Sequence, residues 1–161
     1  MTKEILTTML GLFLVGSVQA AMLYGKAVHI TDGDTITVLD SNHEKHRVRL
    51  KNIDCPEKKQ PWGTKAKRAL ADKVGNKRVR IDWNKKDRYG RIIGTVMLGD
   101  FNINRAMVQE GHCWVYLRYN DDPVLPSLES QAKQQGKGLW SLPDAQRTPP
   151  WKWRHSKVRK F

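Results

Sequence analysis

A chain of 161 residues has room for one domain with a real hydrophobic core and is short for two ordinary domains. Its 39% hydrophobic content argues against a disordered polymer. With 29 Lys and Arg against 16 Asp and Glu, the formal charge is +13 at pH 7, which selects polyanionic partners, nucleic acid first and anionic lipid second.

Residues 1–20 read as an export signal: Lys3 supplies a positive start, an apolar run fills 5–18, and Val18-Gln19-Ala20 suits cleavage before Ala21. Gly11, Gly16 and several threonines dilute the run, which falls short of the ~20 apolar residues of a spanning helix. The mature chain is therefore expected in the periplasm or the medium, with no stable membrane attachment. A folded domain is expected over 21–145 and a separate tail over 146–161.

Strand patterns open the mature chain. Residues 23–30 carry Tyr24, Val28 and Ile30 on one parity. Asp32-Gly33 is a hairpin turn signal, and 35–39 are rich in β-formers. Across 46–53, Val48 and Leu50 alternate with Arg47, Arg49 and Lys51, as in a half-buried strand with one basic face. Pro56 and Pro61 end that region. A helix is predicted over 62–74, with Ala66, Ala69, Leu70 and Val74 on one side and Gly75-Asn76 as its stop. Strands over 77–83 and 92–98 flank a turn at 87–91, and helices follow over 103–110 and 125–135. Five short strands interrupted by one helix favour an α+β, mainly β, closed barrel over a parallel sheet. Residues 147–161 hold six Lys or Arg, no acid, Trp151, Trp153 and Pro149-Pro150, and read as a mobile tail that clamps polyanions.

Three polar clusters stand out among the cations: Asp32 with Asp34, Asp54 with Glu57, and Arg88 with Arg91. Carboxylates suit a hard divalent cation that takes oxygen ligands and touches a phosphate. Arginine forks match phosphate oxygens, and a further carboxylate can activate water. Taken singly, each cluster has a structural explanation: Asp32 is a turn residue, Asp54 a loop cap, Arg49 a solvated cation. Cys55 and Cys113 are free to pair in an oxidising compartment; with no CxxC or paired-His spacing they make a weak zinc site. His29, His43, His46, His112 and His155 are scattered.

Taken in order, Asp32-Gly33-Asp34-Thr35, Arg49-Leu50-Lys51-Asn52-Ile53-Asp54-Cys55-Pro56-Glu57, Asp87-Arg88-Tyr89-Gly90-Arg91, Asn104-Arg105-Ala106-Met107-Val108-Gln109-Glu110-Gly111 and Gly138-Leu139-Trp140-Ser141 resemble the staphylococcal (micrococcal) nuclease family over residues 25–141. The resemblance implies a five-stranded OB-fold barrel with three α-helices. It implies a secreted, monomeric, calcium-dependent nuclease cutting DNA and RNA, single-stranded or frayed, by endo- and exonucleolytic hydrolysis to 3′-phosphate products. On that basis Asp34 and Asp54 are the carboxylate Ca2+ ligands and Cys55 contributes its backbone carbonyl. Glu57 positions or activates water, and Arg49 and Arg91 bind the phosphate. Arg88, Tyr89 and Tyr119 contact nucleic acid, with the two tyrosines as stacking surfaces, while Leu117 replaces another pocket tyrosine. The implied fold also carries Cys113 close to Cys55, which makes a disulfide an expectation. Glu57→Gln and Arg49→Ala are expected to cut turnover with the fold intact. Two competing readings are a non-catalytic nucleic-acid-binding barrel, opposed by the full set of acids and arginines, and a membrane-active cationic protein acting through the tail.

Overall fold

The computed structural model describes residues 20–158. The expected export signal, up to residue 19, and the last three residues of the tail lie outside them. Three strands form an antiparallel meander: β1 (Ala21–Ile30), β2 (Thr35–Leu39) and β3 (Lys45–Leu50). A two-residue strand, β4 (Ile53–Asp54), follows, then α1 (Gly63–Val74), β5 (Arg78–Lys86) and β6 (Ile92–Leu98). The chain continues through β7 (Phe101–Asn102), α2 (Ile103–Gln109), β8 (Trp114–Val115), α3 (Leu125–Gln134) and α4 (Pro150–Val158).

The strand order is β3-β2-β1-β5-β6, and a parallel pairing of β3 with β6 closes the ring. This is the expected five-stranded OB-type barrel, and it leaves those strands without a free edge. Gly94 is needed at the closure, where it lies opposite Leu50 on β3. A Cβ there would come within 2.6 Å of Ile81 Cγ2 and 3.0 Å of the Asp82 carbonyl oxygen. Inward-facing Ile36, Val38, Val48, Leu50, Ile81 and Val96 are sealed from solvent, joined by Leu70 and Val74 of α1 and Ile103 and Met107 of α2. Each large aliphatic side chain buried in this way contributes roughly 1.5–3 kcal/mol.

Two expectations need correction. The parity assigned to β1 breaks, because Ala27 and Ile30 are buried while Tyr24 and Val28 are exposed. A bulge between Ala27 and His29 shifts the register with β2 and turns the strand by one residue. The tail is not a mobile strand of charge: residues 150–158 form α4, a fourth helix. Pro150 is its first residue, where the missing N–H costs nothing and the fixed φ favours a helical start.

Asn104, at the start of α2, ties the closure together. Its Oδ1 accepts from the Val96 amide at 3.0 Å, and its Nδ2 donates to the carbonyls of Lys51 (3.0 Å) and Gly94 (3.2 Å). Asn104→Ala would strand these buried groups. We expect it to lower unfolding stability by about 2–3 kcal/mol, read from urea denaturation.

On the far side of α1, Trp62 Nε1 donates to His112 Nδ1 at 3.1 Å, so this imidazole is needed neutral. Burial pushes its pKa below 6.5, only partly offset by Glu110. The neutral ring is thus favoured in the native state, and the unfolded chain takes up the proton first as pH falls. The stability contributed by His112 is present above 6.5 and is lost as pH drops through the folded value. Thermal melts from roughly pH 7 to pH 5 should show the gap between wild type and His112→Gln narrowing with acidification. A gap that widens would contradict the depressed pKa.

Candidate functional site

The β1–β2 hairpin, the exit of β3 and the short β4–β8 pair meet at one corner of the barrel. Asp34 lies between the hairpin turn and β2, and its amide donates to Asp32 Oδ1 at 3.1 Å. The Asp34 carboxylate is buried and accepts from Thr35 Oγ1 at 3.1 Å and from the Cys55 amide at 2.8 Å. Gly33 lets the turn pack close: a Cβ there would stand 2.8 Å from the Cβ atoms of both Ala66 and Cys55.

Asp54, in β4, is 1% exposed and pairs across the sheet with Trp114 of β8. One residue along each chain from that pair, Cys55 and Cys113 form the disulfide, closing a 58-residue separation. The expected pairing is therefore present, and both sulfurs are buried.

Arg49, on the inner end of β3, joins the two acids. Its Nη2 donates to Asp54 Oδ1 at 3.0 Å, and its Nε lies 3.3 Å from Asp34 Oδ1. Its Nη1 donates to the Leu50 and Ile53 carbonyls, both at 2.8 Å. Those two bonds hold the turn between β3 and β4, a structural duty not visible in the sequence. Glu57 stands at the rim, its side chain 37% exposed, and its amide donates to the buried Gln60 Oε1 at 3.1 Å.

Burial dominates the electrostatics of the acids. It raises the pKa of Asp54, against the opposing pull of Arg154 and Arg49. Burial, together with the neighbouring Asp34 charge, lifts Asp32 to about 7. Desolvated carboxylates of this kind favour a compensating cation.

The structure thus brings Asp34, Asp54, Cys55, Glu57 and Arg49 into one corner. Arg91 is held within its own turn, its Nε donating to Asp87 Oδ2 at 2.7 Å. The next residue, Ile92, opens β6 and lies opposite Val48 of β3. Tyr89 is exposed and flanked by two guanidinium groups, Arg88 at 4.8 Å and Arg91 at 5.6 Å from the ring centre. Tyr119 is exposed, with its ring edge-on to Tyr116 at 4.8 Å.

Tyr116 and Arg154 escaped sequence reasoning, and Trp151, read there only as part of a tail, joins them at the corner. Arg154 of α4 donates from Nη2 to Asp54 Oδ2 at 2.7 Å and from Nη1 to Asp54 Oδ1 at 3.2 Å and Glu57 Oε1 at 2.8 Å. Although burial opposes its charge, these bonds hold the guanidinium pKa above the ordinary arginine value. The pairing of Trp with Arg three residues on was the available signal, since i and i+3 share a helix face. A second acidic group, Asp40, Glu44 and His46, has possible ligand atoms within 4.8 Å of one another. Asp40 there accepts from the Asn42 and Glu44 amides, each at 2.9 Å, and from His46, so an ordinary turn accounts for the cluster.

A small closed OB-type barrel with buried acids bridged by an arginine at its corner defines the class. A family model described as staphylococcal nuclease homologue matches residues 47–142. An Escherichia coli protein named uncharacterized endonuclease is 48% identical over 141 residues, covering 87% of this chain and 90% of the relative. A Shigella flexneri protein named micrococcal nuclease is 43% identical over 155 residues, covering 89% and 87%. A rice protein named probable staphylococcal-like nuclease is 37% identical over 114 residues, covering 71% of this chain and 34% of the relative. The chain belongs to the staphylococcal nuclease family.

Proposed function

We propose that this chain is an exported, calcium-dependent nuclease that hydrolyses DNA and RNA with little sequence preference and leaves 3′-phosphate ends. The observation that carries the reading is the sharing of one guanidinium, Arg49, by the buried carboxylates of Asp34 and Asp54, with Glu57 at the open side. Family membership, and relatives named as nucleases, support the same activity.

The residues present suit a hard divalent cation. Every candidate donor is an oxygen: the carboxylates of Asp34 and Asp54 and the Cys55 carbonyl. The two acids are desolvated, and oxygen donors of this kind select Ca2+ over softer metals. When bound, such an ion supplies charge neutralisation at the phosphoryl oxygens.

The side chains carry the rest. Glu57 lies outside the buried pair, where its carboxylate is placed to accept a proton from attacking water. In-line attack forms the new P–O bond, and the 5′-oxygen departs with its electron pair and takes up a proton from solvent. Arg49 and Arg91 offer planar forks to the non-bridging oxygens. Tyr89 and Tyr119 present open aromatic faces, which stack on any base of a single strand. Contacts mainly to backbone phosphate give low sequence preference and a steep salt dependence.

Digestion of plasmid, single-stranded DNA and RNA in calcium and in chelator, with end-group analysis, tests the proposal. Calcium-dependent cleavage with 3′-phosphate ends is expected. Cleavage unaffected by chelator, or 5′-phosphate ends, would overturn it.

A further inference from the structure

The last helix does more than cap the barrel. The Thr148 carbonyl accepts from the buried Gln60 Nε2, and Gln60 also holds the Glu57 amide, so the entry to α4 is tied to the loop that carries Glu57. Pro150 is buried, and Trp151 and Arg154 point from one face of the helix to the same corner. The Trp151 ring lies parallel to Tyr116, with centroids 5.5 Å apart and planes 5° apart, and meets Trp114 edge-on at 5.9 Å. Arg154 reaches both oxygens of Asp54 and one of Glu57. The helix thus delivers a cation to the acids and a flat ring to a tyrosine, the two chemistries that a metal-loaded nucleotide would bring.

We propose that α4 is a displaceable occupant of the substrate surface, and that the face of Tyr116 it covers is a stacking subsite for a base of single-stranded nucleic acid. The inference rests on the metal centre proposed above. Arg154 holds Asp54 Oδ2 at 2.7 Å, so a cation on that oxygen and the docked guanidinium exclude each other. Without Arg154, the buried carboxylates of Asp34 and Asp54 keep Arg49 alone as a bonded cation, and a divalent ion would restore the positive charge that α4 withdraws. Displacement is feasible. A nine-residue helix has little stability of its own, and the Arg154 side chain is 42% exposed, so water competes for its ion pairs. Trp114, which Trp151 meets edge-on, pairs with Asp54 across β4 and β8, so the covered aromatic surface adjoins one of the acids.

The test uses the full-length protein. Calcium alone is titrated calorimetrically into wild type, Arg154→Ala and Arg154→Ala/Asp54→Asn. A helix docked nine-tenths of the time lowers apparent affinity about tenfold, so Arg154→Ala is expected to bind calcium about tenfold more tightly, and the added Asp54→Asn to abolish that gain. Trypsin cleavage between 152 and 158 should accelerate when calcium is added to wild type. A non-cleavable phosphorothioate oligothymidylate should bind about fivefold or more weakly to Tyr116→Ala and more tightly to Trp151→Ala. Equal calcium affinity in wild type and Arg154→Ala would overturn the role of α4 while leaving the metal centre standing. Absence of calcium binding in both would overturn the metal centre and this inference with it. Unchanged oligonucleotide binding in Tyr116→Ala would overturn the subsite.

Discussion

Glu57→Gln should lower kcat by about 10²–10⁴-fold while Tm stays within a degree or two of wild type. The carboxylate is at the rim, with its side chain 37% exposed, and among the described residues Arg154 Nη1 donates to it. Nothing in the core depends on it, so the loss falls on chemistry alone. The comparison with Arg49 is instructive. Arg49→Ala removes donors from the Leu50 and Ile53 carbonyls and leaves Asp34 and Asp54 buried with less compensation. Deleting one partner of such a buried set costs about 3–5 kcal/mol, so this variant is expected to be less stable as well as slower. Arg49→Lys retains the charge but not the fork, and it separates phosphate binding from folding better. Parallel kcat and melting measurements on these variants decide the matter. A Glu57→Gln protein with near-wild-type turnover would remove the acid from the mechanism.

The second large effect concerns the disulfide. Cys55→Ala/Cys113→Ala opens a 58-residue separation, and the entropic model assigns such a crosslink about 4 kcal/mol. That is a large part of the ~5–15 kcal/mol that holds a domain of this kind together. The site should suffer as well, because the Cys55 amide that donates to Asp34 Oδ2 and the carbonyl offered to the cation belong to the crosslinked residue. Urea denaturation of wild type and double variant, alongside mass analysis with and without reductant, reads the effect. A difference below about 1 kcal/mol, or two free thiols in the native protein, would contradict this account.

Much of the architecture was legible in the residues because the barrel obeys local rules. Alternation at Val48 and Leu50 against Arg47 and Arg49 gave β3 its inner and outer faces, and Gly75-Asn76 ended α1 where expected. Asp34, Asp54 and Glu57 stood out as paired acids, their roles and that of Arg49 came from the family resemblance, and the fold gathers the four. What stayed hidden depends on events that local pattern does not encode. The bulge after Ala27 inverts the facing of Tyr24 and Val28 through a register shift against β2. The helix at 150–158 was masked by Pro149-Pro150, which read as a breaker although the second proline starts a helix. The meeting of Arg154 with Asp54, 100 residues apart, is a tertiary event with no short-range trace. The structural half of the Arg49 role is hidden for the same reason: its carbonyl partners are set by the turn into β4.

The most direct measurement is a crystal structure of the protein soaked in calcium, with anomalous scattering used to locate the ion. The account predicts one ion at the barrel corner, 2.3–2.6 Å from oxygens of Asp34 and Asp54, with Arg154 withdrawn from Asp54. An ion bound instead at Asp40, Glu44 and His46, with the Asp34–Arg49–Asp54 bridge untouched, would contradict it.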